Sequence, residues 1–120
     1  AWSAGRPIEF AYTGDYKQAA WLIEDRKPAY VAIDSLQSFC PSFDMMDEFS
    51  AYLKSYADRR RGVVLAIAHE NSGVGRSEVH RIWGSLRLRQ ISDVILRIDT
   101  LDGIRTVRVV KDRWGFIQDE

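Results

Sequence analysis

The sequence predicts an α/β fold, a three-layer sheet of mainly parallel strands finished by a C-terminal antiparallel hairpin. Three observations carry this. Ala29 to Ile33 and Val63 to Ala68 are continuous apolar runs, the mark of parallel strands covered on both faces. Between them, from about Asp44 to Arg60, apolar residues recur at helical spacing. Further on, two strand-like runs flank the turn Leu101-Asp102-Gly103. Strand, helix, strand in this order is a crossover unit, right-handed in nearly all cases.

Each element has a local cause. Residues 1–7 form a loose lead-in with Gly5 and Pro7, and Ile8 to Tyr12 is a short strand candidate. Thr13-Gly14-Asp15 is a turn whose side-chain oxygens can cap a helix. Tyr16, Ala20 and Ile23 then recur at helical spacing from Asp15 to Lys27, and Pro28 ends that helix. After the Ala29–Ile33 strand, Pro41 and Ser42 punctuate the chain. The long helix follows, with Met45/Met46, Phe49, Tyr52/Leu53 and Tyr56/Ala57 as its apolar stripe, and Gly62 stops it. Residues 69–80 form a polar loop with Gly73 and Gly75, and Val79 to Ile91 reads as a short arginine-rich helix. Asp93 to Asp99 and Ile104 to Val110 are the hairpin strands, and Phe116 with Ile117 adds a last short strand.

A chain of 120 residues makes one domain with one core. Hydrophobic residues at 46% and charged residues at 28% fit a globular protein in water. Seventeen basic residues balance seventeen acidic ones, which argues against wholesale coating of a polyanion but leaves room for a local basic patch. The single Cys40 excludes an internal disulfide and fits a reducing compartment, so the expected location is the cytoplasm. No apolar run reaches the ~18 residues that a membrane span needs, so no membrane partner is expected. Opening on Ala1 rather than on Met, the chain reads as a piece or a processed product.

Two segments carry the chemistry. Ala29-Tyr30-Val31-Ala32-Ile33-Asp34-Ser35 delivers a carboxylate to the carboxyl edge of a parallel sheet, where open α/β folds bind ligands. An aspartate there commonly helps to hold magnesium beside a nucleotide; its plain alternative is a cap on the next turn. Lys111-Asp112-Arg113-Trp114-Gly115 is a basic-aromatic knot after the hairpin. Together with Ile8-Glu9-Phe10-Ala11-Tyr12-Thr13-Gly14-Asp15-Tyr16, with Val63 to His69 and with Gly84 to Ile98, these segments resemble the later part of a RecA-like ATPase core. The resemblance is to the RadA/Sms type and its phage and plasmid helicase relatives, whose Lys-Asn-Arg-Phe-Gly motif the knot resembles. It covers most of the chain, read as a single partial domain, 1–120, of a truncated RecA-like fold.

The resemblance implies roles residue by residue. Asp34 orients the magnesium shell, with Ser35 beside it, and His69 takes the sensor place at the end of the next strand. Lys111 and Arg113 reach toward a neighbouring subunit's nucleotide or toward DNA. The parent family uses Mg-ATP and works on DNA in recombination, repair or helicase-type translocation. The departures are as informative. There is no Gly-x-x-x-x-Gly-Lys-Ser/Thr in these residues; the phosphate loop and the catalytic-glutamate strand belong before the equivalent of residue 1. Asp112 and Trp114 replace the family's Asn and Phe. Phosphoryl transfer needs the phosphate-loop lysine and amides, so this chain alone is expected to hold no cofactor and to be catalytically inactive.

The loop Gly73-Val74-Gly75-Arg76-Ser77 reads either as plain surface loop or as a cradle for an anion. In RecA-like rings this loop touches single-stranded DNA. Arg76, Arg81, Arg87 and Arg89, with Trp83 among them, suit phosphate neutralisation and base stacking. The bland alternative packs Trp83 in the core and pairs the arginines at the surface. The sequence therefore supports a DNA-contacting or oligomerising part of a RecA/RadA-like ATPase, its partners being single-stranded DNA and either further copies or the missing N-terminal half. The rival is a dimeric, non-enzymatic α/β interaction module. In the resembled fold the phosphate-loop strand lies between the Val63–Ala68 and Asp93–Asp99 strands. Without it either those two strands pair directly or another chain fills the gap, since a buried unpaired amide or carbonyl costs about 1–3 kcal/mol; direct pairing with a dimer at a remaining edge is the expectation.

Overall fold

The computed structural model describes residues 8–69 and 86–115. The first helix, α1 (Tyr16–Arg26), begins where Asp15 accepts the Lys17 amide proton at 2.9 Å, relieving one of the unpaired donors of a helix start. It ends at Lys27, which adopts the left-handed conformation and returns its N–H to the Ile23 carbonyl. Strand β1 (Tyr30–Asp34) follows, and then a four-residue helix, α2 (Leu36–Phe39), that the sequence pattern does not announce. Helix α3 (Phe43–Arg60) is capped by the Ser42 hydroxyl, which accepts from the Met45 amide.

Arg61, again left-handed, ends α3. Gly62 then lets the chain turn tightly into β2 (Val63–Ile67): a Cβ at that glycine would lie 3.0 Å from the Ala29 carbonyl oxygen. The described part of the arginine-rich helix is α4 (Leu86–Ile91). The hairpin consists of β3 (Val94–Leu101) and β4 (Ile104–Asp112). Asp102 and Gly103 both have positive φ, 50° and 77°, the mirror-image turn whose twist suits a hairpin.

Strands β1 and β2 pair in parallel, from Tyr30 opposite Val63 to Asp34 opposite Ile67. Strands β3 and β4 pair antiparallel, from Val94 opposite Asp112 to Leu101 opposite Ile104, with an irregularity between Ile95 and Leu96. The core lies under β1. Met46, Phe49, Leu53 and Tyr56 of α3 pack with Tyr16, Ala19 and Ile23 of α1 and with Ile33, Leu36 and Cys40. Aromatic rings line this contact: Phe49 sits 5.9 Å from Tyr16 and 6.1 Å from Phe39, centroid to centroid. The Tyr56 hydroxyl donates to the Pro28 carbonyl at 2.6 Å, tying α3 to the entrance of β1.

The structure is thus mixed α/β, but it departs from expectation in three ways. Ile8 to Tyr12 has no regular secondary structure and no ladder bonds, so the first strand candidate is not a strand here. Among the described residues, the two parallel strands are covered on one face only. Helices bury Ile33 and half-bury Val31 and Val64, while Tyr30 stays 78% exposed and Leu65 59%. Finally, no three-layer sheet forms among the described residues. There are two separate two-stranded sheets, and β2 does not pair with β3. The physical reason lies in the anchoring of the hairpin: side-chain bonds to α3 and α4 hold it, where a ladder along β2 was expected.

Candidate functional site

Asp34 closes β1 with an exposed carboxylate, opposite Ile67 in the register. His69 lies just beyond β2, so both residues stand at the carboxyl edge of the parallel pair. A bond joins the two exits, since the Gln37 amide donates to the His69 carbonyl at 3.3 Å. Gln37 is itself fixed by α2, whose start directly after β1 aims the chain across this edge. Its other amide atom, Oε1, is buried and has no hydrogen-bond partner. Ser35, 5% exposed, takes the cap position of α2 without a side-chain cap bond, and its hydroxyl lies 3.1 Å from that of Ser38. The peptide bond between Asp34 and Ser35 is cis.

The described residues contain no group of three or more potential ligands, and magnesium bound through one or two carboxylates also relies on substrate phosphates. A hollow among the described residues lies elsewhere, between α1 and α3. It measures about 240 Å³ and is lined by Tyr16, Lys17, Ala20, Glu48, Phe49 and Tyr52, smaller than the ~300–1,000 Å³ usual for a small-molecule pocket. The Tyr16 hydroxyl donates to Glu48 there at 2.6 Å. That bond, then burial, pushes its pKa up to about 12.

The two cations of the basic-aromatic knot bond back to the chain, while Arg113, Trp114 and Gly115 stay exposed. The Lys111 ammonium donates to the carbonyls of Arg89 at 2.8 Å and Gln90 at 3.0 Å, the end of α4 where cations are favoured. Arg113 donates to the Gln90 carbonyl at 2.8 Å and to Asp93 at 2.7 Å. Lys54 of α3 reaches both oxygens of Asp93 at 3.0 Å and pairs with Asp58. Burial lowers the pKa of Lys111, and the neighbouring Arg113 lowers it further. A two-stranded hairpin alone is marginal in water; this cluster fastens it to two helices. Trp114 is exposed after the turn, its backbone N–H donating to the Asp112 carboxylate at 3.2 Å.

Of the expected site residues, the fold brings Asp34, Ser35 and His69 to one edge and gathers Lys111 and Arg113 at another place. Arg87 is exposed on α4, and Arg89 is half-buried. Arg76, Arg81 and Trp83, with the Gly73–Ser77 loop and His80, lie outside the described residues, as do Phe116 and Ile117. Sequence reasoning missed Gln37 and Lys54. Gln37 carried no signal, because α2 is too short to show periodicity. Lys54 reads as an ordinary i, i+4 partner of Asp58; its bond to Asp93 is long-range. No protein-family model matches the chain, and no curated protein matches it. Among the described residues, no helix is long and apolar enough to cross a membrane.

Proposed function

We propose that this chain is the later part of a RecA-like ATPase core of the RadA/Sms type. In this reading it contributes DNA contact and assembly, while the phosphate loop comes from elsewhere. The observation that carries the reading is the carboxyl edge of the parallel pair. A crossover containing α2 and α3 sets Asp34 and His69 at the ends of adjacent strands, the place where α/β sheets bind ligands. The unpaired far side of β2 among the described residues supports it, since such a core has a strand to add there. Mg-ATP is the cofactor of the assembled core, not of these residues alone.

The test is a salt titration of single-stranded oligonucleotide binding, read by fluorescence. Contact with two phosphates gives a slope of about −1.4, at about −0.7 per contact, and an Arg76/Arg81/Arg87 triple alanine variant loses the binding. Equal affinity of that variant and the parent refutes DNA contact through these residues.

A second reading has its own support. Lys111 and Arg113 are engaged within the chain, and Tyr30, Val63 and Leu65 form an exposed apolar face. Both suit a non-enzymatic α/β interaction module, for which no binding to the oligonucleotide at low salt is the expected result.

A further inference from the structure

The segment before α1 and the open edge of β1 have complementary needs. Ile8, Phe10 and Tyr12 alternate with Glu9 and Ala11, the period of a half-buried strand. Yet all three are solvent-exposed, Phe10 at 83% and Tyr12 at 99%. Their backbone pairs with no strand among the described residues, and β1 pairs with β2 alone. Among the described residues, one edge of β1 therefore presents unpaired amides and carbonyls, the feature by which sheets recruit further strands.

The chain's own segment does not fill that edge, and the bonds that hold it off are specific. The Thr13 hydroxyl donates to Gln18 at 2.6 Å and accepts from the Asp15 amide at 3.2 Å. Asp15 in turn caps α1. Glu9 lies 3.2 Å from the Arg26 guanidinium, at the far end of α1. The turn and this ion pair set the segment along α1 and leave its apolar face to solvent.

We propose that Ile8–Tyr12 of one copy adds as a strand to the free edge of β1 in a second copy, giving a strand-exchanged assembly. The occupant is a second copy because each chain carries both halves of the contact: an unpaired strand pattern and an unpaired edge of the same five-residue span as β1. The edge strand, Tyr30 to Ile33, has no charged residue to repel the incoming one, and its only carboxylate is the terminal Asp34. Exchange pairs the backbone of both chains and continues one sheet face with Ile8, Phe10 and Tyr12. This inference does not rest on the ATPase reading and holds equally for an interaction module.

The experiment is sedimentation of the full chain beside two variants, Ala11→Pro and the double substitution Phe10→Asp with Tyr12→Asp. Proline removes a ladder donor, and the aspartates remove the apolar face; neither touches the core. The parent is expected to sediment as a dimer or larger species, and both variants as monomers with unchanged far-ultraviolet dichroism. Amide exchange at residues 9–12 should slow as protein concentration rises. A monomeric parent overturns the proposal, as do variants that assemble like the parent. Slow exchange at those amides independent of concentration also overturns it, because the segment then closes on its own β1.

Discussion

Arg113 and Asp93 are joined twice, by a guanidinium–carboxylate contact of 2.7 Å and by the Arg113 N–H donating to the Asp93 carbonyl at 2.9 Å. The backbone bond continues the hairpin past the end of its ladder. The side-chain bond turns Asp93 into the junction of three elements, since Lys54 of α3 meets the same carboxylate. Both ion pairs are partly exposed, which limits what each contributes. Asp93→Ala is expected to cost about 1 kcal/mol, above an exposed pair and below a buried charged hydrogen bond. Urea melts of Asp93→Ala, Lys54→Met and the double variant should show non-additive losses; strict additivity removes the junction from the account.

Glu24 gives the fold an acid-side sensitivity. Its carboxylate accepts from Arg59 at 2.7 Å and from the Tyr52 hydroxyl at 3.0 Å. The Arg59 bond, followed by that of Tyr52, holds its pKa below the usual carboxylate range. A group depressed in the folded state contributes stability that is present above its unfolded value and lost as pH falls through the folded one. Thermal melts should therefore weaken with acid from pH values just under the ordinary glutamate range. Glu24→Gln should flatten that part of the profile, and an identical acid slope in the variant contradicts the assignment.

Phe49 is fully buried, with ring contacts to Tyr16, Phe39 and Tyr52. Truncation to alanine is expected to cost about 3–5 kcal/mol, a large share of a small domain's stability. Phe49→Leu keeps most of the volume and should lose less. Equal losses in the two variants, measured by denaturant unfolding, run against the packing described above.

The chain alone is expected to release no phosphate from ATP with magnesium. The basis is the lack of a Gly-x-x-x-x-Gly-Lys-Ser/Thr loop in these residues. A phosphate-release assay against a blank checks this. Turnover that disappears in Asp34→Ala contradicts it and requires a second kind of phosphate cradle.

Local signals were legible and long-range ones were not. Asp15, Ser42 and Asp102-Gly103 act within a few residues of themselves, so the starts of α1 and α3 and the hairpin turn could be read directly. The α3 stripe survived as Met46, Phe49, Leu53 and Tyr56, because helical periodicity encodes one buried face. Apolar runs encode less. Ala29 to Ile33 looks doubly covered, yet what lies over Tyr30 depends on elements remote in sequence or outside the described residues. The same limit applies to the candidate site. The strand end places Asp34, but nothing local tells that Gln37 bonds to His69, or that Lys111 and Arg113 turn toward α4.

The Asp102–Gly103 turn also bears on the order of assembly. Its strands are adjacent in sequence, so the loop that must close is minimal, and hairpins form within about 1–10 μs. The parallel pair has no such shortcut: Tyr30 must find Val63 across the whole of α2 and α3, and entropy taxes that closure before any contact repays it. The hairpin is therefore expected to be present early. The Asp34–His69 edge is expected to be completed late, once α3 has packed.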